Sequence, residues 1–151
     1  MSHIRDAYME ESPWINERYG EIGFVPSNIA HELVAIAEHQ GSRAALGRLV
    51  PVNADCAELG GIYVLPEFRG LGISKEIVSY LLRQGMTYKK IFCLPFAHVE
   101  HLYVGLGFRR CEQPEEVPQG SSASIGGVTV TMCIEPSCWF ALSRASLAGS
   151  R

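Results

Sequence analysis

This chain has no block of lysine or arginine, no apolar run near the roughly 20 residues of a membrane span, and no CxxC pair. Each absence removes a class of function. The 13 Lys and Arg residues are scattered among 16 Asp and Glu, for a net charge of −3, so no nucleic-acid partner is expected. Without an apolar span or a signal-peptide pattern at its start, no membrane partner is expected either. The cysteines (Cys56, Cys93, Cys111, Cys133 and Cys138) are odd in number and widely spaced. That argues for reduced thiols and a cytoplasmic location over a disulfide framework. No internal repeat or low-complexity linker divides the sequence, and 151 residues suit one domain over 1–151, with residues 145–151 a frayed tail.

The most informative segment is Arg69-Gly70-Leu71-Gly72-Ile73-Ser74. Before it lies an apolar run, Leu59 to Leu65, closed by Pro66; after it Ile73, Ile77, Val78, Leu81 and Leu82 recur at helical spacing. The reading is strand, glycine-rich turn, helix. Such a turn aims free backbone N–H groups and the positive end of a helix dipole at one point, a ready site for phosphate or pyrophosphate. A P-loop would need Lys and then Ser or Thr after the last glycine, and Gly72 is followed by Ile73-Ser74. A Rossmann turn would need a third glycine and an acidic residue about 20 positions on.

Around this turn the pattern predicts a first strand at His3–Arg5 and a helix opened by Ser12-Pro13 and ended by glycines 20 and 23. A hairpin is expected from Glu32–Glu38 and Ala44–Val52 around Gln40-Gly41-Ser42. Strands follow at Ala57–Leu65 and Ile91–Leu94, with the helix Gly72–Gln84 between them, so those two strands should run parallel. Pro95 cannot donate to a ladder and should splay its strand from the neighbour. Gly60-Gly61 inside a strand points to a bulge or a close backbone approach. A short helix is expected at His98–Leu106, a loop over 113–127, and strands at Val128–Ile134 and Cys138–Ser143. The fold class is α/β: a mixed twisted sheet, antiparallel in its N-terminal half and parallel at the βαβ step, flanked by helices.

Val64-Leu65-Pro66-Glu67-Phe68-Arg69-Gly70-Leu71-Gly72-Ile73-Ser74 resembles the cofactor motif of the GNAT superfamily of acyl-CoA-dependent N-acetyltransferases, with Ser74 where Gly or Ala is usual. A second signature of that family, an aromatic-rich helix ending Tyr-x-x-x-Gly-Phe, is matched by Tyr103 to Phe108. The resemblance implies a GNAT fold and acetyl-CoA as co-substrate, with no metal. It implies transfer of acetyl to a primary amine of a small molecule by direct attack, through a tetrahedral intermediate. Within the cofactor-binding turn Arg69, Gly70, Leu71, Gly72, Ile73 and Ser74, the backbone N–H groups of Leu71 to Ser74 would hold the pyrophosphate with the Arg69 guanidinium nearby, and the strand edge Ile62-Tyr63-Val64 would hold the pantetheine arm. The Val64 amide would polarise the thioester carbonyl.

By the same resemblance Glu58 is the candidate base and Tyr103 the candidate acid for the departing thiolate. A salt-bridged strand-end carboxylate and a packing aromatic are the plainer readings of those two. His98 and His101 are alternative bases, or surface histidines, and their His-x-x-His spacing lacks a zincin pattern. Cys93, mid-strand in an apolar run, is expected to be a buried inert thiol. Glu10, Glu11, Glu17 and Glu21, with Glu112, Glu115 and Glu116, either attract a cationic amine or form a solvated face. Homodimers are common among relatives, and Trp139-Phe140-Ala141-Leu142 would suit such an interface. The alternative to an enzyme is a non-catalytic acyl-CoA-binding module of the same fold. A magnesium-dependent phosphotransferase lacks its lysine and its carboxylates.

Overall fold

Alternation along the strands sorts their side chains onto two faces, and each face is roofed by a helix. The computed structural model describes residues 2–95, 97–111 and 131–136. In chain order these form β1 (His3–Asp6), α1 (Ser12–Glu21), β2 (Leu33–His39), β3 (Ser42–Pro51), β4 (Cys56–Val64), α2 (Ile73–Gln84), β5 (Lys90–Cys93), α3 (Glu100–Gly105), β6 (Arg109–Arg110) and β7 (Met132–Ile134). Short 3-10 turns at Met9–Glu11, Pro66–Phe68 and Ala97–Val99 lead into the three helices. The strands make one sheet in the order β1-β2-β3-β4-β5-β7-β6. Among the described residues β4 and β5 are the parallel pair and the other pairings are antiparallel; the antiparallel N-terminal half and the parallel βαβ step are as the sequence pattern predicts.

The β2–β3 hairpin closes through Gln40 and Gly41, both at positive φ (51° and 80°), the two-residue turn whose twist suits flanking strands. Along β2, Val34 and Ile36 join the α1 cluster with Ile15, Tyr19 and Leu46, whereas Ala35 and Ala37 join the α2 cluster. The α2 face of the sheet is floored with small residues. A Cβ on Gly47 would lie 2.6 Å from Ile62 Cδ1 and 2.7 Å from Ile77 Cγ2, so glycine there lets α2 sit close to the sheet.

The start of α1 differs from expectation. Ser12 is the first helical residue, and Glu11 holds the capping position behind the 3-10 turn. The reason is an ion cluster drawn from distant strands. Glu11, only 4% exposed, binds Arg5 of β1 at 2.7 Å and Arg43 of β3 at 2.8 Å, and accepts the Tyr8 N–H at 2.9 Å. It therefore belongs to neither a solvated nor a substrate-attracting face. Arg5, with help from the Tyr8 amide, holds its carboxyl down at about 2. A carboxyl lowered from 4.5 to about 2 stabilises the fold above its unfolded pKa, by about 3 kcal/mol. That stability should drain away as pH falls from about 5 toward 2, and Glu11→Gln should flatten this limb of the stability curve, read by urea denaturation at several pH values.

Other expectations fall partly or wholly outside the described residues. The 113–127 loop, Glu112, Glu115 and Glu116, residues 128–130, the Cys138–Ser143 strand, the Trp139–Leu142 patch and the 145–151 tail all lie there. β7 covers the described end of the Val128–Ile134 strand. β6 is a two-residue strand that no alternation pattern announces, and the helix expected from His98 is a 3-10 turn to Val99 followed by α3.

Candidate functional site

The sheet forks between β4 and β5. Their parallel ladder runs from Cys56↔Lys90 to Leu59↔Cys93 and stops, while β4 continues through Gly60 to Val64. Leu94 and Pro95 follow the last rung, and proline supplies no N–H to extend it. On its other side β4 stays paired with β3, apart from a bulge at which Gly61 and Ile62 oppose Gly47. Gly61 has φ +61°, as a bulge glycine requires. The Leu65 N–H donates to Ala44 O toward β3 (2.9 Å). Strand alternation therefore turns the neighbouring Val64 N–H away from β3, toward the fork.

The turn after β4 has the form that its sequence implies. Gly70 and Gly72 sit at φ +82° and +76°, and a Cβ built on either would meet nothing within 4 Å. Gly72 caps α2, no side chain caps its end, and the first intrahelical bond is Glu76 N–H to Gly72 O at 3.4 Å. The N–H groups of Ile73, Ser74 and Lys75 thus have no acceptor within the helix. Ile73 is anchored in the core at 2% exposure, which fixes this end of the helix. Arg69 reaches back along the turn to give Nε to Val64 O at 3.2 Å, tying the turn to the fork's edge. The candidate residues 62–64 and 69–74 thus lie at the end of β4 and at the head of α2, joined through the Pro66–Phe68 turn and the Arg69–Val64 bond.

Glu58 and Tyr103 lie on opposite faces of the sheet. Ala57 and Leu59 belong to the α2 core, so Glu58 between them faces the α1 side. It is half-buried and sits opposite Phe92, one rung before the fork. Tyr103 belongs to the α2 core, 7% exposed, edge-on to Phe108 with centroids 5.6 Å apart. Burial pushes its phenol well above the ordinary value, with Cys93 at the end of β5 adding to the rise. Among the described residues nothing accepts a hydrogen bond from its hydroxyl. His98 and His101 are exposed, on the turn into α3 and on α3 itself. Cys93 is buried at 2% exposure and its thiol is pushed up by desolvation, an inert group. Among the described residues no group of three His, Cys, Asp or Glu could hold a metal ion, and no helix is long and apolar enough to cross a membrane.

Nothing in the sequence pattern pairs Tyr19 or Arg48 with this site, yet both close on the bulge. Tyr19 donates its hydroxyl to Gly61 O at 2.9 Å, and a Cβ on Gly61 would stand 2.6 Å from that hydroxyl and 3.0 Å from Arg48 Nε. Left-handed backbone costs a non-glycine residue about 1–2 kcal/mol, and overpacking adds about 1–3. Gly61→Ala should therefore cost about 3 kcal/mol and lower Tm by about 10 °C in calorimetry. A fall of less than about 2 °C would mean that the bulge relaxes around a methyl group.

The profile of the Acetyltransferase (GNAT) family matches residues 1–108. No curated protein matches the chain. Among solved structures, a GNAT-family acetyltransferase from Staphylococcus aureus Mu50 superposes with TM-score 0.70 at 12% identity, over 91% of this chain and 100% of its own. Mutant forms of the spermidine/spermine N-acetyltransferase SpeG from Vibrio cholerae give 0.70 at 18% identity, over 94% and 98%. A GNAT family acetyltransferase from Elizabethkingia anophelis, with acetyl-CoA bound, gives 0.63 at 14%, over 89% and 97%. At such identities these likenesses speak for the fold. The family profile, spanning most of the chain and containing both the forked strand and the glycine turn, speaks for membership: the chain belongs to the GNAT acetyltransferase family.

Proposed function

We propose that this protein is an N-acetyltransferase that moves acetyl from acetyl-CoA to a primary amine of a small molecule by direct attack. The observation that carries the reading is the β4 edge, Ile62 to Val64, which β5 leaves unpaired, followed after the Pro66–Phe68 turn by the glycine turn at α2, which no side chain caps. Among the described residues no strand pairs with β4 on that side beyond Leu59; such an edge accepts an extended amide-bearing arm by strand-like pairing, and the turn accepts its pyrophosphate. The Elizabethkingia relative has acetyl-CoA bound, and the Vibrio relative is named for a polyamine acceptor; both facts support the cofactor and acceptor classes proposed here.

In this reading Val64 N–H, facing the fork, donates to the thioester oxygen as it gains charge. Glu58, on the α1 side, accepts a proton from the incoming ammonium, directly or through water. Tyr103, on the opposite side, gives its phenolic proton to the departing sulfur. Burial keeps that phenol protonated across the neutral range, and the same surroundings disfavour a bare thiolate beside it, so the transfer stays matched. The acceptor reaches the fork from the α1 face, where Glu21 lies 3.4 Å from the Tyr63 hydroxyl.

Thermal melting with acetyl-CoA, coenzyme A and magnesium-ATP in parallel tests the cofactor. A ligand at 100 times its Kd adds about 2.7 kcal/mol, a rise in Tm of about 5–10 °C for a chain of this size. The expected result is a rise with both coenzymes and none with magnesium-ATP, followed by thiol release in an amine screen. No rise with either coenzyme up to millimolar concentration would remove the function. A rise without thiol release from any amine would favour an acyl-CoA-binding module.

A further inference from the structure

We propose that Tyr19 and Arg48 are positioning residues that clamp the β4 bulge from the α1 side and so aim the amide edge that receives the acyl-CoA arm. The inference rests on the acyl-CoA reading above and adds to it a residue pair outside both cofactor motifs. The bulge at Gly61 disrupts the ladder, so its carbonyl needs a donor from elsewhere. Tyr19 supplies it: a 2.9 Å bond from a fully buried ring, spanning from α1 to β4. Burial raises that phenol far above neutral pH, so it remains a donor under all working conditions.

The carbonyl of Gly61 and the N–H of Ile62 belong to a single rigid peptide plane. Holding the oxygen on Tyr19, on the α1 side of the sheet, therefore fixes the tilt of the peptide plane, and with it the Ile62 N–H, beside the fork. Arg48 makes the clamp two-sided. Its guanidinium stacks on the Tyr19 ring with the carbon 4.6 Å from the centroid, and its Nη1 donates to Val25 O at 2.9 Å. Val25 follows α1, so the same two side chains tie together the bulge, the helix and the segment after it. A shift of α1 on acceptor binding would then be felt at the amides that hold the thioester. The absence of space for a Cβ on Gly61 shows how tightly the three groups meet.

The test uses Tyr19→Phe, which keeps the ring and removes only the donor, and Arg48→Met, which keeps the stem over the ring and removes the guanidinium. Calorimetric titration compares acetyl-CoA with 3′-phospho-ADP, which carries the pyrophosphate but no pantetheine arm. Tyr19→Phe is expected to weaken acetyl-CoA about tenfold, the effect of one buried hydrogen bond, and 3′-phospho-ADP less than about twofold. Arg48→Met should act in the same direction. Equal weakening of both ligands, or of neither, would overturn the clamp.

Amide hydrogen exchange supplies a readout that needs no ligand. The Leu46 and Tyr63 amides beside the bulge should exchange faster in Tyr19→Phe, while those of α2 keep their protection. Unchanged exchange beside the bulge overturns the proposal whatever binds. Faster exchange in a protein whose wild type binds no acetyl-CoA would overturn the acyl-CoA reading, and with it the positioning role, while leaving the contact as a device of the fold.

Discussion

Exchanging Glu58 for glutamine should lower kcat by about 10²–10⁴-fold, the range a positioned general base contributes. A primary amine near pKa ~10 is almost wholly protonated at neutral pH and has no lone pair to attack with. The chain must remove that proton at the fork. Glu58 is carried one rung before the ladder ends, on the face away from the α2 core. Glutamine keeps its size and hydrogen-bonding reach but cannot take the proton. Because the side chain is half-buried and off the apolar core, Tm should move by no more than about 2 °C. Affinity for acetyl-CoA should be unchanged, since the pyrophosphate turn and the edge beyond Gly61 are untouched.

The sign of the pH dependence follows from the same chemistry. Raising the pH deprotonates the amine in solution, so the deficit of the variant should shrink about tenfold per pH unit as the amine pKa is approached. Thiol release with the best amine from the screen, measured across pH, reads this directly. A deficit under about tenfold, or one that stays constant with pH, would take the base away from Glu58. Loss of the rate in His98→Ala or His101→Ala instead would hand the role to an exposed histidine beside α3.

What the sequence makes legible here is what short-range spacing encodes. The apolar period of Ile73, Ile77, Val78, Leu81 and Leu82 marks α2, and all five are buried. Gln40-Gly41 marks the hairpin, the double glycine marks the bulge, and Pro95 marks the fork; each is a local backbone constraint, readable without neighbours. The unread features depend on partners far along the chain. Glu11 looks like one more surface carboxylate until β1 and β3 bring Arg5 and Arg43 to it. Tyr19 looks like a helix aromatic facing a core, and only the assembled sheet sets its hydroxyl against Gly61. β6 is too short for any period to register. The roles of Glu58 and Tyr103 enter through family resemblance, because a lone carboxylate in a strand and a lone tyrosine in a helix carry no chemical signature by themselves.

The strongest expected effect on binding lies at Gly72. Replacing it with glutamate should weaken acetyl-CoA by about 10²–10⁴-fold, as two charge-assisted hydrogen bonds at about 1.5–3 kcal/mol each are lost. The position combines three requirements. Its φ of +76° suits glycine, the space where a Cβ would point is empty, and the next N–H groups along α2 have no internal acceptor. A carboxylate there would occupy the helix end itself, satisfying the N–H groups and setting a like charge against the pyrophosphate. The fold should tolerate the change better than the ligand does, because no neighbour lies within 4 Å and the strain is that of one residue in left-handed backbone, about 1–2 kcal/mol. The apo protein should then melt only about 3–8 °C lower, while the stabilisation by coenzyme A disappears. Gly72→Ala separates the two causes. It carries the strain without the charge or the bulk, so it should show most of the Tm loss and only a small part of the affinity loss. If alanine and glutamate weaken acetyl-CoA equally, backbone strain alone disables the turn; if neither weakens it, the pyrophosphate is held somewhere other than this helix end.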